Sequence, residues 1–371
     1  MTTSHAIAFQ SASTIPADDA SVDLVVTSPP YPMIEMWDGS FAAQDDRIAG
    51  LIASGDGGSA YEAMHALLDA VWRECARVLR PGGFVCVNVG DATRSLAGNF
   101  RLYANHARIT VAMEALGLQS LPAILWRKQT NAPNKFMGSG MLPVGAYVTL
   151  EHEYVLVFRK GDRREFTGAD RERRRASAFF WEERNEWFSD LWEFKGARQR
   201  MADEQARGRS GAFPFELPFR LVNMYSARGD LVLDPFAGTG TTMLAAMAAG
   251  RSSLGVEVDP RLADAIEREV GAAGSWLNER QARRLRDHRE FVERSAREGK
   301  RALKHENEPH AVAVVTSQET QLSLPAVESV TRRASCSYVA EHAQSEELAR
   351  SIDLRDFPAG IASARQLDLN L

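Results

Sequence analysis

The chain is 371 residues long, enough for one large domain or two. Hydrophobic residues make up 44% and charged residues 25%, which excludes collagen-like, wholly disordered and multi-span membrane classes. The 44 Lys and Arg stand against 49 Asp and Glu, a net charge of −5, so an anionic partner would need a locally basic surface. Cys75, Cys86 and Cys336 are too few and too scattered for a disulfide framework or a four-ligand zinc site, and we predict no metal. The first residues lack the features of a signal peptide and no run is long and apolar enough to cross a bilayer, which predicts a cytoplasmic protein.

Strands and helices alternate in the first part of the chain. A β-branched run at 22–26 predicts a strand that ends before Pro29 and Pro30. Polar and Gly-rich residues predict a long loop at 39–59, and apolar residues at helical spacing predict a helix over 61–79. Further strands are predicted at 84–89, 121–126 and 154–158, with a helix around 108–116. This alternation favours an α/β fold with a mostly parallel sheet.

Composition changes at residue 162. Residues 162–210 hold 12 Arg and Lys, 11 Asp and Glu and eight aromatics, which suits nucleic-acid contact or a solvated, salt-bridged insert. A charged helix is predicted from 276 to about 303, and no fold is assigned to the polar residues beyond it. Between these segments the α/β pattern returns, with helices at 217–226 and 241–249 and strands at 231–234 and 253–258.

The first chemically informative motif is Thr-Ser-Pro-Pro-Tyr at 27–31, directly after a strand. Two prolines fix the backbone without offering N–H donors, so nearby carbonyl groups remain free to accept. Ser28 adds a hydroxyl acceptor and Tyr31 an aromatic face, which together suit a planar base with an exocyclic amino group. The alternative is a proline-rich turn with Tyr31 half-buried in the core.

The second motif, Asp-Pro-Phe-Ala-Gly-Thr-Gly-Thr-Thr at 234–242, has the order strand, glycine turn and helix start. Backbone N–H groups in such a turn can approach an anionic ligand group. The motif lacks the Gly-Lys-Ser/Thr of a phosphate-binding loop, and Met243 stands where a nicotinamide fingerprint needs a small residue. Glu257, 19 residues past Gly238, can accept both hydroxyl groups of a ribose. These features indicate a nucleoside with a carboxylate, and S-adenosylmethionine fits. The predicted cofactor-binding residues are Asp234, Pro235, Phe236, Gly238, Thr239, Gly240, Thr241, Thr242 and Glu257.

Together the two motifs resemble those of the amino-methylating DNA methyltransferases. Thr-Ser-Pro-Pro-Tyr is similar to the cytosine-N4 branch, whereas Asp-Pro-Pro-Tyr is the commoner adenine-N6 form. The first motif precedes the second, an order that resembles the β group of the family. The similarity runs from about residue 21 to 259. It implies a Rossmann-like S-adenosylmethionine-dependent methyltransferase fold, with a mostly parallel seven-stranded sheet, helices on both faces and a small recognition insert.

The resemblance also implies an activity. A site-specific enzyme would transfer a methyl group from S-adenosylmethionine to the N4 amine of a cytosine flipped out of double-stranded DNA. Tyr31 would stack on the base, and the Ser28 hydroxyl and the Pro29 carbonyl would accept the amino hydrogens; the predicted catalytic set is Ser28, Pro29, Pro30 and Tyr31. We further expect a bacterial or archaeal modification enzyme, paired with a restriction endonuclease and without a membrane partner.

The insert is the first candidate for target recognition, because it lies between the two motifs, and the polar loop at 131–141 is the second. Arginine can read guanine in the major groove, and several arginines can meet phosphates. The predicted DNA contacts are Asn134, Lys135, Arg173, Arg174, Arg175, Arg184 and Arg198.

The sequence thus divides into four parts. We predict a catalytic half at 1–161, a target-recognition insert at 162–212, a cofactor-binding half at 213–270, and a charged helix with a weakly patterned tail at 271–371. An adenine-N6 DNA methyltransferase is the main alternative function, since it uses the same machinery. A methyltransferase of RNA or of a protein glutamine, and a non-catalytic DNA-binding module, are less favoured.

Overall fold

A computed structural model describes residues 1–128, 137–138, 141–195, 213–298 and 303–343. The helices in this part of the chain are α1 (Asp38–Ala42), α2 (Arg47–Ala53), α3 (Gly57–Val78), α4 (Asn105–Ala115), α5 (Ala169–Ala176), α6 (Trp181–Trp187), α7 (Glu216–Tyr225), α8 (Thr241–Ala248), α9 (Ala263–Gly271) and α10 (Ala273–Arg297). The strands are β1 (Thr2–Phe9), β2 (Val22–Thr27), β3 (Leu79–Val89), β4 (Ala92–Leu96), β5 (Asn99–Tyr103), β6 (Leu118–Arg127), β7 (Met137–Gly138), β8 (Ala146–Tyr147), β9 (His152–Lys160), β10 (Leu191–Glu193), β11 (Leu231–Asp234), β12 (Ser252–Glu257), β13 (His305–Asn307), β14 (Val312–Val314), β15 (Ala326–Ala334) and β16 (Ser337–Ala343).

Ten of the described strands form one sheet in the order β10-β6-β9-β3-β2-β11-β12-β1-β16-β15. Its five central strands, from β3 to β1, run parallel to one another, and β9 runs antiparallel to β3 and β6. The seven strands from β6 to β1 correspond to the seven-stranded sheet that the family resemblance implies, and six of them are at positions predicted from the sequence. Three more extend it, because β10 pairs with β6 and the hairpin of β15 and β16 pairs with β1.

Strand β2 lies between two layers of helices, one on each face of the sheet. All six of its residues are buried, as in a parallel strand that is covered on both faces. Val25 packs in a cluster with apolar residues of α3, whereas Leu24 and Val26 point to the opposite face and pack with those of α7. Helices therefore cover both faces of the sheet, as predicted.

Strand β1 was not predicted, because two of its three buried positions are polar. Thr3 and His5 are buried and hydrogen-bonded to each other, with 2.8 Å between Thr3 Oγ1 and His5 Nε2. His5 Nδ1 lies 2.8 Å from Ser253 Oγ, and Thr3 Oγ1 lies 2.9 Å from His342 Nε2. Burial, aided by His342, lowers the pKa of His5 to about 3. The strand is thus held by satisfied neutral polar groups, which a search for apolar alternation does not find.

Two other segments differ from their predictions. The predicted loop at 39–59 contains α1 and α2, whose buried Phe41 and Ile48 join the core. The tail, for which no fold was assigned, contributes β13 to β16, and its Tyr338 and Ala340 pack in the cluster that contains α8. Both segments gain their structure from tertiary packing that local sequence patterns only weakly indicate.

The segment that follows β9 is packed onto the fold through α6. Arg284 on α10 makes a bidentate ion pair with Glu183, at 2.5 Å from Nε to Oε1 and 2.8 Å from Nη2 to Oε2, and both side chains are buried. Next to this pair the His288 ring stacks on Phe180 with 3.9 Å between ring centroids. Residues 162–195 of the predicted insert are therefore attached to the fold through buried charges.

None of the described helices has the length and apolar character needed to span a membrane.

We expect Arg284→Met to lower the free energy of unfolding by about 3–5 kcal/mol, because it leaves the buried Glu183 carboxylate without its charge partner. Urea denaturation measures the change. The control is Arg289→Met, an exposed position on the same helix, which we expect to stay within about 0.5 kcal/mol of wild type. Equal stability of the two variants would contradict the structural role of the ion pair.

Candidate active site

The two sequence motifs follow neighbouring strands. Val25 of β2 pairs with Leu233 of β11 in a parallel ladder, and each strand ends within two residues of that pair. Residues 28–31 and the glycine turn at 235–240 therefore leave the same edge of the sheet, which we call the carboxyl edge. Ligands of open α/β sheets collect at this edge.

A buried carboxylate joins the two motifs. Asp234 is 4% exposed, and its Oδ1 accepts hydrogen bonds from Thr27 Oγ1 at 2.7 Å and from the Phe236 N–H at 3.0 Å. Its Oδ2 accepts from Thr242 Oγ1 at 2.6 Å. Burial raises the pKa of Asp234, and the two hydroxyl donors oppose that shift. In this arrangement the Asp234 side chain positions the loops, and its carboxylate points inward.

The glycine turn presents an open backbone surface. Gly238 and Gly240 have φ values of +52° and +85°, a region that favours glycine. A Cβ on Gly240 would lie 3.2 Å from Met243 Cε, so this position faces the core. A Cβ on Gly238 would meet no atom within 4 Å, so the free space for a ligand lies above Gly238.

The other predicted residues of this turn differ in exposure. Pro235 and Thr242 are buried, and Phe236, Thr239 and Thr241 are half-buried. Phe236 also packs against the core, with its ring 6.1 Å from that of Trp72.

Glu257 faces the glycine turn from the end of β12. Its Oε2 accepts from the Gly238 N–H and its Oε1 from the Asp259 N–H, both at 2.9 Å. Burial raises the pKa of Glu257. Since a carboxylate can accept about four hydrogen bonds, both oxygens keep acceptor positions for a further ligand.

The Thr-Ser-Pro-Pro-Tyr motif begins a hydrogen-bond network. Ser28 Oγ lies 3.0 Å from the Tyr31 hydroxyl, which donates to Glu153 Oε2 at 3.0 Å. Asn88 Nδ2 donates both to the Tyr31 oxygen at 2.9 Å and to Glu153 Oε2 at 2.7 Å. Lys128 Nζ contacts the other Glu153 oxygen. The Tyr31 ring is half-buried beside Gly90, and no described residue donates to the Pro29 carbonyl oxygen.

Sequence reasoning did not select Asn88, Lys128 or Glu153 as site residues. A buried Asn near the end of an otherwise apolar strand was the available signal for Asn88. Glu153 lies in a segment that already belonged to the family resemblance. Its place beside Tyr31 depends on the antiparallel pairing of β9 with β3, which pairs Asn88 with Val155.

Two arginines of the insert, Arg164 and Arg173, lie at the opposite edge of the sheet. Asp230 stands just before β11, where it accepts a hydrogen bond from Arg164 at 2.7 Å and lies 3.8 Å from Arg173. Asp230 and Ser28 are thus at opposite ends of adjacent parallel strands, six residues apart in register, or roughly 20 Å at about 3.3 Å per residue. Arg174 packs over the Phe166 ring.

The remaining predicted DNA contacts are at the surface or outside the described residues. Arg175 on α5 and Arg184 on α6 are exposed. Asn134, Lys135 and Arg198 lie outside the described residues.

Comparisons with known proteins agree with this site. The sequence pattern of the DNA methylase family of N6/N4 methyltransferases matches residues 22–268. The type II methyltransferase M.MthZI of Methanothermobacter thermautotrophicus is 49% identical over 328 residues, covering 87% of this chain and 91% of that protein. M.MjaI of Methanocaldococcus jannaschii, also a type II methyltransferase, is 46% identical over 288 residues, covering 73% and 92%.

A solved structure of a candidate DNA modification methylase also matches this chain. TTHA0409 of Thermus thermophilus, a candidate DNA modification methylase crystallised with S-adenosyl-L-methionine, is 35% identical. It superposes with a TM-score of 0.54 over 71% of this chain and 94% of its own. The predicted fold class and the predicted cofactor, S-adenosylmethionine, are confirmed. The chain belongs to the N6/N4 family of S-adenosylmethionine-dependent DNA methyltransferases.

Proposed function

We propose that this enzyme methylates the N4 amino group of cytosine in double-stranded DNA, as the modification enzyme of a type II restriction–modification system. The observation that carries the cytosine assignment is Ser28, a neutral hydroxyl acceptor where the adenine-N6 motif commonly has an acid. Its neighbour Thr27 is bonded to Asp234 at the start of the glycine turn. The type II relatives support the modification role.

The residues at the carboxyl edge fit S-adenosylmethionine. Gly238 leaves open space for close approach of a ligand, and Glu257 keeps acceptor positions for ribose hydroxyl groups. When bound, S-adenosylmethionine supplies an electrophilic methyl group. Asp234 contributes by holding the turn, while Gly238, Thr239 and Glu257 are the proposed contacts.

The Ser28 hydroxyl and the Pro29 carbonyl are the proposed acceptors for the two amino hydrogens. These hydrogen bonds concentrate the lone pair on the amino nitrogen and orient it toward the methyl group, so the chain contributes mainly by positioning. A base inside a duplex cannot reach Ser28, so the cytosine must be flipped out at a cost of a few kcal/mol. Stacking of Tyr31 on the flipped base remains part of the proposal.

We further propose that DNA approaches the carboxyl edge. Strand β6 ends at this edge, where the hairpin of β4 and β5 and residues 141–150 lie next to the ends of β3 and β9. They expose large apolar side chains, including a stacked pair, Phe100 and Tyr147, with ring centroids 4.9 Å apart. Exposed aromatic and apolar side chains provide stacking surfaces for bases. This arrangement favours the loop at 131–141 over the α5 arginines as the DNA contact.

We expect Gly238→Val to weaken S-adenosylmethionine binding at least tenfold, because its side chain enters the proposed ligand space. Titration calorimetry measures the affinity. Gly117→Val is the matched control, since Gly117 has a φ of +81° and open surroundings but lies after α4, away from the site. Both variants carry about 1–3 kcal/mol of backbone strain. An equal loss of affinity in the two variants would contradict the proposed cofactor contact.

The modified base tests the cytosine assignment. Duplex DNA incubated with the purified enzyme and S-adenosylmethionine, then digested to nucleosides, is expected to yield N4-methylcytosine by mass spectrometry. Recovery of N6-methyladenine would contradict the assignment and support the adenine alternative.

Salt dependence of DNA affinity tests the direction of approach. We expect Lys135→Ala to weaken binding to every duplex and to reduce the salt slope by about one unit, as for one lost phosphate contact. Arg174→Ala and Arg175→Ala should leave both quantities unchanged, because α5 lies at the opposite edge. Weaker DNA binding in Arg174→Ala or Arg175→Ala, with no change in Lys135→Ala, would contradict this direction and support the insert as the DNA-binding element.

A further inference from the structure

The hydrogen bonds around Tyr31 have a determined direction. The Tyr31 hydroxyl has one proton and contacts three groups: Ser28 Oγ at 3.0 Å, Asn88 Nδ2 at 2.9 Å and Glu153 Oε2 at 3.0 Å. Each partner restricts which way the proton can point. A count of donors and acceptors therefore fixes the role of the Ser28 hydroxyl.

Glu153 can only accept. The Lys128 ammonium group contacts its second carboxylate oxygen, so both oxygens of Glu153 face hydrogen-bond donors. The Asn88 amide group must turn its Nδ2 toward Glu153, at 2.7 Å, because its oxygen would be repelled there. Asn88 Nδ2 therefore also donates to the Tyr31 oxygen.

These constraints leave one arrangement for the tyrosine. Burial, reinforced by the charge of Glu153, raises the pKa of Tyr31 well above its usual range, so the hydroxyl keeps its proton. That proton goes to Glu153. The Tyr31 oxygen has one acceptor position left after Asn88, and Ser28 must donate to it. The Ser28 oxygen then presents only lone pairs to the ligand side.

We propose that Glu153 is a positioning residue that makes Ser28 an obligate acceptor for the amino group of the target base. Glu153 acts through Tyr31, with Asn88 and Lys128 holding it in place. An acceptor at this point favours a base edge with an amino group over one with a carbonyl oxygen, whose lone pairs would face those of Ser28. The proposal rests on the proposed function, in which an exocyclic amine is the substrate.

A double-mutant cycle tests the proposal. Glu153→Gln presents an amide that can donate to Tyr31, which frees the tyrosine proton to turn toward Ser28. We expect the single-turnover methylation rate to fall about 10- to 100-fold, as for a misplaced catalytic group. Tyr31→Phe removes the hydroxyl that links Glu153 to Ser28 and should give a comparable loss of methylation rate. In the Tyr31→Phe background, Glu153→Gln should cost less than twofold more, because no hydroxyl remains to orient.

The matched control is Glu151→Gln, two residues away, whose carboxylate pairs with Arg127 at 3.2 Å on the surface. It should methylate at the wild-type rate. S-adenosylmethionine affinity and the urea midpoint of each variant identify any loss of folding. If Glu153→Gln does not fold, Tyr31→Phe alone decides, and a wild-type rate in that variant overturns the proposal.

The cycle has distinct outcomes. Equal losses from Glu153→Gln with and without the Tyr31 hydroxyl would overturn the positioning role, as would a wild-type rate in Glu153→Gln. Failure of the wild-type enzyme to methylate an amino group of DNA would instead overturn the proposed function on which the inference rests, and the inference with it.

Discussion

The carboxyl edge of the sheet, where the proposed active site lies, depends on one buried carboxylate. Asp234 accepts from Thr27, from Thr242 and from the backbone of Phe236, and so connects the end of β2, the glycine turn and the first turn of α8. A buried carboxylate is costly unless its oxygens are fully hydrogen-bonded, so these donors must stay in place for the fold to be stable. The order of the two motifs along the chain does not matter to this contact, because the strands that carry them are neighbours in the sheet. A single interaction therefore fixes the proposed methyl-acceptor loop relative to the cofactor turn.

Strands β2 and β11 make different kinds of contact at their two ends. At the amino end, Asp23 and Asp230 bind Arg164, and Asp23 also binds Arg80, so the insert is attached there by charge compensation. At the carboxyl end lie Ser28, Pro29 and Glu257, the proposed acceptors for the ligands. In this proposal, a duplex that delivers a flipped base to Ser28 must approach the carboxyl edge of the sheet. Arg164 of the arginine-rich segment is thus held at the amino end, although the segment lies between the two motifs in sequence.

Much of the fold could be predicted because its central strands are apolar on both faces. The strands predicted at 22–26, 84–89, 154–158, 231–234 and 253–258 are present with small shifts at their ends. Strand β1 escaped detection because Thr3 and His5 hydrogen-bond to each other inside the sheet, and β16 escaped because its pairing with β1 joins residues more than 300 positions apart. The motif residues of the proposed site could be named from the sequence. Asn88 and Glu153 could not, because their common partner Tyr31 is brought to them only by the sheet order.

The most direct test of the central claim is the single-turnover rate of Ser28→Ala. The substitution keeps both prolines and the Tyr31 ring but removes the hydroxyl acceptor. If Ser28 holds the amino group of the target base, methyl transfer should fall by about 10²-fold or more, the usual effect of removing one preorganised hydrogen-bonding group, while the affinities for S-adenosylmethionine and DNA remain those of wild type. A wild-type rate of methyl transfer in Ser28→Ala would contradict the account.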